Sequence, residues 1–215
     1  MKKDIISDII SGGIVAIIRV ESPVDGEKIA TACVSGGIKA IEIQYTTPNA
    51  VAIIDILSKK FKLSDLILGA GSIMEPETCR QAILAGAQFI VGNHFDAEIA
   101  KCCNKFQIPY IPGCMTVTEM IQAMSYGSDI IKLFPASAVS PDFVKSVKRA
   151  LPQINLMPAG GINLDNVSSW IRNGSCAVGV GGDLTSAANE ENYQEVTKRA
   201  QGYVSAIKGA RKEKI

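Results

Sequence analysis

The 215-residue sequence predicts an α/β protein, a (β/α)8 TIM barrel built as a single domain over residues 1–215. Three observations carry this. Short β-branched runs alternate with longer amphipathic stretches along the whole length. Each run reads as continuously apolar rather than alternating with polar residues. No linker, composition shift or low-complexity tract divides the chain. Continuous apolar strands separated by helices imply a parallel sheet covered by helices. Eight such units fit a closed barrel, whereas five or six would suit an open doubly wound sheet.

The elements follow in order. Strand IVAIIRV (14–20) leads into helix 23–35, and strand IKAIEI (38–43) into helix 48–60. Strand LILGAG (66–71) precedes helix 75–85, and QFIVG (88–92) precedes helix 96–106. PYIPG (109–113) is followed by helix 116–125, DIIKLF (129–134) by helix 141–151, and NLMPAG (155–160) by helix 164–172. CAVGVG (176–181) and helix 190–207 complete the eighth unit. Pro23, Pro48, Pro76 and Pro141 lie near helix starts, where a missing N–H is harmless. Gly36, Gly86, Gly127 and Gly174 lie just past helix ends, where a left-handed residue is expected.

Apolar residues make up 47% of the chain, enough for one well-filled core. Lys and Arg number 22 against 21 Asp and Glu, a net charge of +1, so no basic surplus exists for a nucleic-acid backbone. A small anionic metabolite needs only a local cation. The six cysteines contain no C-x-x-C pair and read as reduced, mostly buried thiols rather than a zinc or redox site. Met1-Lys2-Lys3 is compatible with a signal peptide, but Asp4 and Asp8 interrupt any apolar stretch behind it. No apolar run approaches the ~20 residues of a membrane span. A cytoplasmic protein is expected, with no membrane partner.

In a barrel strand, alternate side chains point into the lumen, and catalytic groups gather at the C-terminal ends. Three apolar strands each carry one charge late in the run. Val15, Ile17 and Arg19 share a face of the first strand; Ile38, Ala40 and Glu42 share one of the second; Ile130, Lys132 and Phe134 share one of the sixth. Such residues either point outward or form a structural ion pair at the barrel mouth, or they form a catalytic set. The chemistry the set suits is specific. A lysine in apolar surroundings near a guanidinium is biased toward its neutral amine, which attacks a ketone to form an iminium. A nearby carboxylate moves protons, and arginine binds a keto acid's carboxylate.

A metal offers the competing route. His94 is the only histidine, so a multi-histidine zinc or iron site is excluded, and His94 itself reads as a loop residue. A magnesium site made of carboxylates stays open. Pro158-Ala159-Gly160-Gly161-Ile162 and Gly179-Val180-Gly181-Gly182-Asp183 end the last two strands. Loops at those places either cradle an anion with backbone N–H groups or are merely tight turns. The glycines alone would also permit a phosphate-barrel isomerase or synthase, and a barrel that only binds ligands is a further reading.

The segments IVAIIR, GGIKAIEI, GAGSI, GAQFIV, IPGCMTVTE, KLFPA, AGGI and VGVGG resemble the 2-keto-3-deoxy-6-phosphogluconate/4-hydroxy-2-oxoglutarate aldolase family, class I pyruvate aldolases, over roughly residues 10 to 208. The resemblance implies a barrel, a homotrimer, and cleavage of such keto acids to pyruvate and an aldehyde with no cofactor and no metal. Lys132 matches the family's Schiff-base lysine and Glu42 its acid/base glutamate. In some members a carboxylate-binding arginine follows that glutamate by four residues, where Thr46 stands here; other members carry it at the end of the first strand, which Arg19 matches. Ser72 replaces a threonine, keeping the hydroxyl, and is expected to bind substrate; Asn93 stands where proline is frequent, and Phe134 matches the aromatic packed against substrate. Gly160, Gly161, Gly181 and Gly182 match the phosphate loops. Ala159 and Gly182 replace a threonine and a serine there, and Asp183 follows. The departures leave the aldol chemistry intact and bear on the phosphorylated substrate.

Overall fold

The computed structural model describes residues 2–213. Helix α1 (Lys2–Gly12) precedes the first strand. Its Ile5 and Ile9, one turn apart, join Val15, Ala40, Ile67, Phe89, Ile130 and Met157 in a cluster that fills the lower lumen. The helix therefore plugs the end of the barrel opposite the strands' C-termini. The sequence reading assigns no element there, although the spacing of Ile5 and Ile9 is that of an apolar helix face.

The strands are β1 (Ile14–Ile18), β2 (Ala40–Gln44), β3 (Ile67–Ile73), β4 (Phe89–Gly92), β5 (Tyr110–Ile111), β6 (Gly113–Cys114), β7 (Ile131–Leu133), β8 (Leu156–Pro158) and β9 (Val178–Val180). Every pairing is parallel, and the order β5-β4-β3-β2-β1-β9 runs one way round the ring. β6-β7-β8 forms the remaining arc, and a parallel bridge from Ala159 to Gly179 joins it to β9. β5 and β6 are the expected fifth strand, broken at Pro112, which has no N–H for a ladder. Eight strand positions close the barrel.

Helices α2 (Pro23–Ser35), α3 (Ala50–Lys60), α4 (Pro76–Leu84), α5 (Ala97–Phe106), α6 (Val117–Ser125), α7 (Pro141–Ala150), α8 (Val167–Arg172) and α10 (Tyr193–Lys212) lie outside the strands, and the short α9 (Gly182–Thr185) follows β9. Caps set several starts: the Ser22 hydroxyl accepts from the Asp25 N–H, and Thr116 and Glu119 form a reciprocal capping box. An outer core of Ile, Leu, Ala and Cys side chains fills the space between strands and helices.

Three details differ from expectation. Ile38 does not share the lumen face of Glu42; β2 starts at Ala40, and Ile38 packs into the outer core. Gly36 caps α2 in a right-handed conformation, and Gly37, at φ +93°, makes the left-handed turn. Gly36 is needed for another reason: a Cβ there would strike Ala200 and the Thr197 carbonyl of α10. The third helix starts at Ala50 rather than 48, because Asn49 is left-handed. Among the described residues, no helix is long and apolar enough to cross a membrane.

Candidate active site

The period of two along β2 carries Ala40 into the lower lumen and places Glu42 and Gln44 above it, both buried. Along β7 the same alternation takes Ile130 into the lower lumen and Lys132 to the layer above. Lys132 is 3% exposed and Glu42 fully buried. The Lys132 ammonium lies 4.6 Å from the centre of the Phe134 ring, a cation–π contact. Its Nζ donates to Asn93 Oδ1 at 2.9 Å.

Burial acts on the two charges in opposite directions. It raises the Glu42 carboxyl above the usual carboxylate range, against the pull of Lys132, the Gln44 amide and Arg19. It lowers the Lys132 ammonium below the usual lysine value; Glu42 opposes that shift and Arg19 adds to it. Both shifts work against the charged forms, and each charge opposes the shift of the other. Glu42 Oε1 accepts from Gln44 Nε2, while Oε2 is buried with no hydrogen-bond partner among the described residues.

Above Lys132 opens a cavity of about 600 Å3. Arg19, Lys132, Phe134, Gly160, Gly161, Gly181 and Gly182 all line it. Arg19, one residue past β1, is exposed. Among the described residues its guanidinium makes no hydrogen bond or ion pair, and it stands over Gly181, where a Cβ would lie 3.4 Å from Nη1. Gly160 and Gly161 have φ of +90° and +83°, which turns the chain after β8 beside Phe134 and Ser137. Gly182 faces open space.

Glu42 and Ser72 do not line this cavity; they stand behind Lys132. The Ser72 hydroxyl, expected on substrate, instead donates to Gln44 Oε1 and accepts from Asn93 Nδ2 at 3.1 Å. Asp183 does not cap α9: its carboxylate accepts from the Tyr203 hydroxyl. Thr46 is exposed, as is His94, whose backbone carbonyl accepts from the Tyr110 hydroxyl. Among the described residues, no three His, Cys, Asp or Glu side chains gather as metal ligands would.

Sequence reasoning missed two polar residues, Gln44 and Ser186, and named Asn93 only as a departure from the family's proline. Gln44 follows Glu42 by two and therefore shares its face, a signal that was available. Asn93 is the first residue past β4, at the catalytic end of the barrel. Ser186 lines the cavity beyond the last glycine loop, and its hydroxyl accepts from Arg199 Nη1 at 2.9 Å. The far end of the cavity thus has a hydroxyl despite Ala159 and Gly182, supplied by a turn whose position no strand pattern reveals.

The comparisons with known proteins agree. A family model described as KDPG and KHG aldolase matches residues 5–199. The 2-dehydro-3-deoxy-6-phosphogalactonate aldolase of Escherichia coli (strain K12) is 29% identical over 202 residues, 92% of this chain and 95% of that protein. The KHG/KDPG aldolase of the same strain is 29% identical over 205 residues, 94% of this chain and 93% of that protein. A crystal structure of KDPG aldolase from Legionella pneumophila, with pyruvate captured as a covalent carbinolamine intermediate, superposes with a TM-score of 0.85 at 26% identity, covering 92% of this chain and 96% of that one.

Proposed function

The chain belongs to the KDPG and KHG aldolase family, and from that premise we propose that it cleaves 2-keto-3-deoxy-6-phosphogluconate, 4-hydroxy-2-oxoglutarate or both to pyruvate and an aldehyde, with Lys132 as the nucleophile. The observation that carries this reading is the buried Lys132 amine, biased toward neutrality, at the base of a cavity that also holds the unpaired Arg19 guanidinium.

The steps follow from the residues present. Arg19 holds the C1 carboxylate with charge-assisted hydrogen bonds. The Lys132 lone pair attacks the C2 ketone, and the ketone oxygen takes a proton to give a carbinolamine. A second proton on that hydroxyl lets it leave as water, and the nitrogen lone pair forms the iminium. The C4 hydroxyl then loses its proton, an aldehyde forms at C4, and the C3–C4 bonding electrons flow to the iminium nitrogen as an enamine. Protonation at C3 and hydrolysis by water release pyruvate and restore the amine. Glu42 moves the protons, its unpartnered Oε2 being the atom free to do so. The glycine loops and Ser186 receive the aldehyde portion, where backbone N–H groups suit an anion.

A homotrimer belongs to the same proposal. The protomer leaves Met74, Leu84, Val117 and Ile121 exposed, and Val117 and Ile121 share one face of α6. Light scattering should report three chains of 22.8 kDa. A cytoplasmic location fits the six free thiols, among them Cys79 and Cys103 with sulfurs 3.5 Å apart.

The experiment that decides the chemistry is borohydride reduction in the presence of pyruvate, followed by peptide mass spectrometry. A stable adduct on Lys132 and full activity in chelator are expected. An adduct on another lysine, or no adduct together with loss of activity in chelator, overturns the assignment.

A further inference from the structure

Lys132 and Glu42 are joined by an unbroken chain of hydrogen bonds through three neutral side chains. Lys132 Nζ donates to Asn93 Oδ1, Asn93 Nδ2 to Ser72 Oγ, Ser72 Oγ to Gln44 Oε1, and Gln44 Nε2 to Glu42 Oε1. We propose that Asn93 and Gln44 are positioning residues of the aldol reaction. Asn93 aims the Lys132 nitrogen, Gln44 fixes which Glu42 oxygen handles protons, and Ser72 locks the two settings together. The proposal rests on the assignment of Lys132 as nucleophile and Glu42 as proton carrier.

With Lys132 as its ammonium and Glu42 as its carboxylate, the direction of the chain is enforced at both ends. An ammonium has only donors, so Asn93 must present its oxygen; an ionised carboxylate has only acceptors, so Gln44 must present its nitrogen. The amides' remaining groups then face Ser72, whose hydroxyl accepts from one and donates to the other. Flipping either amide sets donor against donor or acceptor against acceptor. While the two ends are charged the arrangement therefore has one satisfied state, as a buried polar network requires.

Amides suit the task because they carry no charge in any step. Ammonium, amine, carbinolamine, iminium and enamine nitrogens each retain at least one N–H, and Asn93 Oδ1 accepts from all of them. Holding that N–H fixes rotation about Nζ, so the attacking lone pair and later the C=N plane keep one orientation. At the other end, the Gln44 N–H occupies Glu42 Oε1 and leaves Oε2, buried and unpartnered, as the single reactive oxygen. Two amides interrupt the chain as a proton wire, so its role is geometric.

The backbone is specialised for these contacts. β3 shifts register between Ala70 and Ile73, and within that irregularity Ser72 takes φ +58°, an uncommon value for a residue with a side chain. That conformation brings its hydroxyl between the two amides. A Cβ on Gly71 would collide with Glu42 Oε1 and Gln44 Nε2. A Cβ on Gly113 would collide with the Asn93 backbone, so β6 allows Asn93 its place. These features have a common purpose in seating the chain.

Two partial reactions read its two ends separately. Borohydride trapping of pyruvate on Lys132 reports iminium formation. Exchange of pyruvate C3 protons in heavy water, followed by NMR, also requires proton transfer. Asn93→Leu should slow trapping by about tenfold or more, with exchange falling only in proportion. Gln44→Met should slow exchange about tenfold or more beyond any slowing of trapping, because exchange adds proton transfer at C3 to the transfers of iminium formation. Ser72→Ala, which breaks the chain at its middle, should slow both and serves if either larger variant fails to fold. Equal losses in trapping and exchange for Gln44→Met, undiminished trapping in Asn93→Leu, or no loss in any variant, overturn the proposal while leaving Lys132 in place. Failure of the wild-type enzyme to trap pyruvate on Lys132 overturns the underlying assignment and this inference with it.

Discussion

Glu42 and Lys132 stand in the same desolvated layer of the barrel, and each opposes the shift that burial imposes on the other: Lys132 draws the Glu42 carboxyl down, and Glu42 holds the Lys132 ammonium up. Arg19 acts on both from the cavity mouth, lowering both groups. The three residues therefore set one another's protonation, and single substitutions have signs that can be worked out.

The first prediction concerns pH. Removing a negative neighbour destabilises the ammonium, so Glu42→Gln lowers the Lys132 pKa; removing a positive one stabilises it, so Arg19→Met raises that pKa. The neutral amine is the form that attacks. Trapping rate against pH should accordingly rise at lower pH in Glu42→Gln than in wild type, and at higher pH in Arg19→Met. Parallel displacement of the two profiles would show that neither charge acts on Lys132 directly.

Glu42→Gln should also retain pyruvate binding while turnover falls by roughly 10²–10⁴-fold, the range for a lost acid/base group. Steady-state kinetics beside pyruvate titration separate the two. Near-normal turnover would assign the proton transfers to another group or to water.

Arg19→Met should weaken pyruvate binding by about 1–3 kcal/mol, the usual worth of a hydrogen bond to a charged partner left unmade. Unchanged affinity in calorimetry would hand the carboxylate to backbone N–H groups.

Gly71→Ala should cost roughly 1–3 kcal/mol of stability through overpacking, because the new methyl enters the space of the Glu42 and Gln44 head groups. Turnover should fall further than the thermal melt alone explains. A variant with wild-type melting and wild-type kcat would show that the heads shift without consequence.

At the far end of the cavity, Ala159 and Gly182 supply no hydroxyl, Asp183 is turned to Tyr203, and Ser186 is the hydroxyl at hand. Each missing hydrogen bond weakens phosphate binding by about 0.5–1.5 kcal/mol, more with a charged acceptor. The enzyme should use 4-hydroxy-2-oxoglutarate about as well as the phosphorylated sugar acid when kcat/KM is measured on one preparation. A preference above ~10³ for the phosphorylated substrate, worth over ~4 kcal/mol, would show that Ser186 and the backbone make a full phosphate site.

The sequence by itself determined the barrel, because strand period, helix period and turn residues are local and repeat eight times along the chain. It also placed Arg19, Glu42 and Lys132 late in their strands, since an ionisable residue in an apolar run is visible without a partner. Only the tertiary structure decided what those residues touch. Ser72, which the sequence suggests as a substrate contact, stands in the middle of a chain between two amides, since a positive φ inside an irregular stretch of β3 turns it that way. Asn93, Ser186 and the plugging helix α1 were likewise beyond strand-by-strand reading. Their meaning lies in contacts between residues as far apart as Asn93 and Lys132, or Ile9 and Phe89, which closure of the ring creates and no local spacing records.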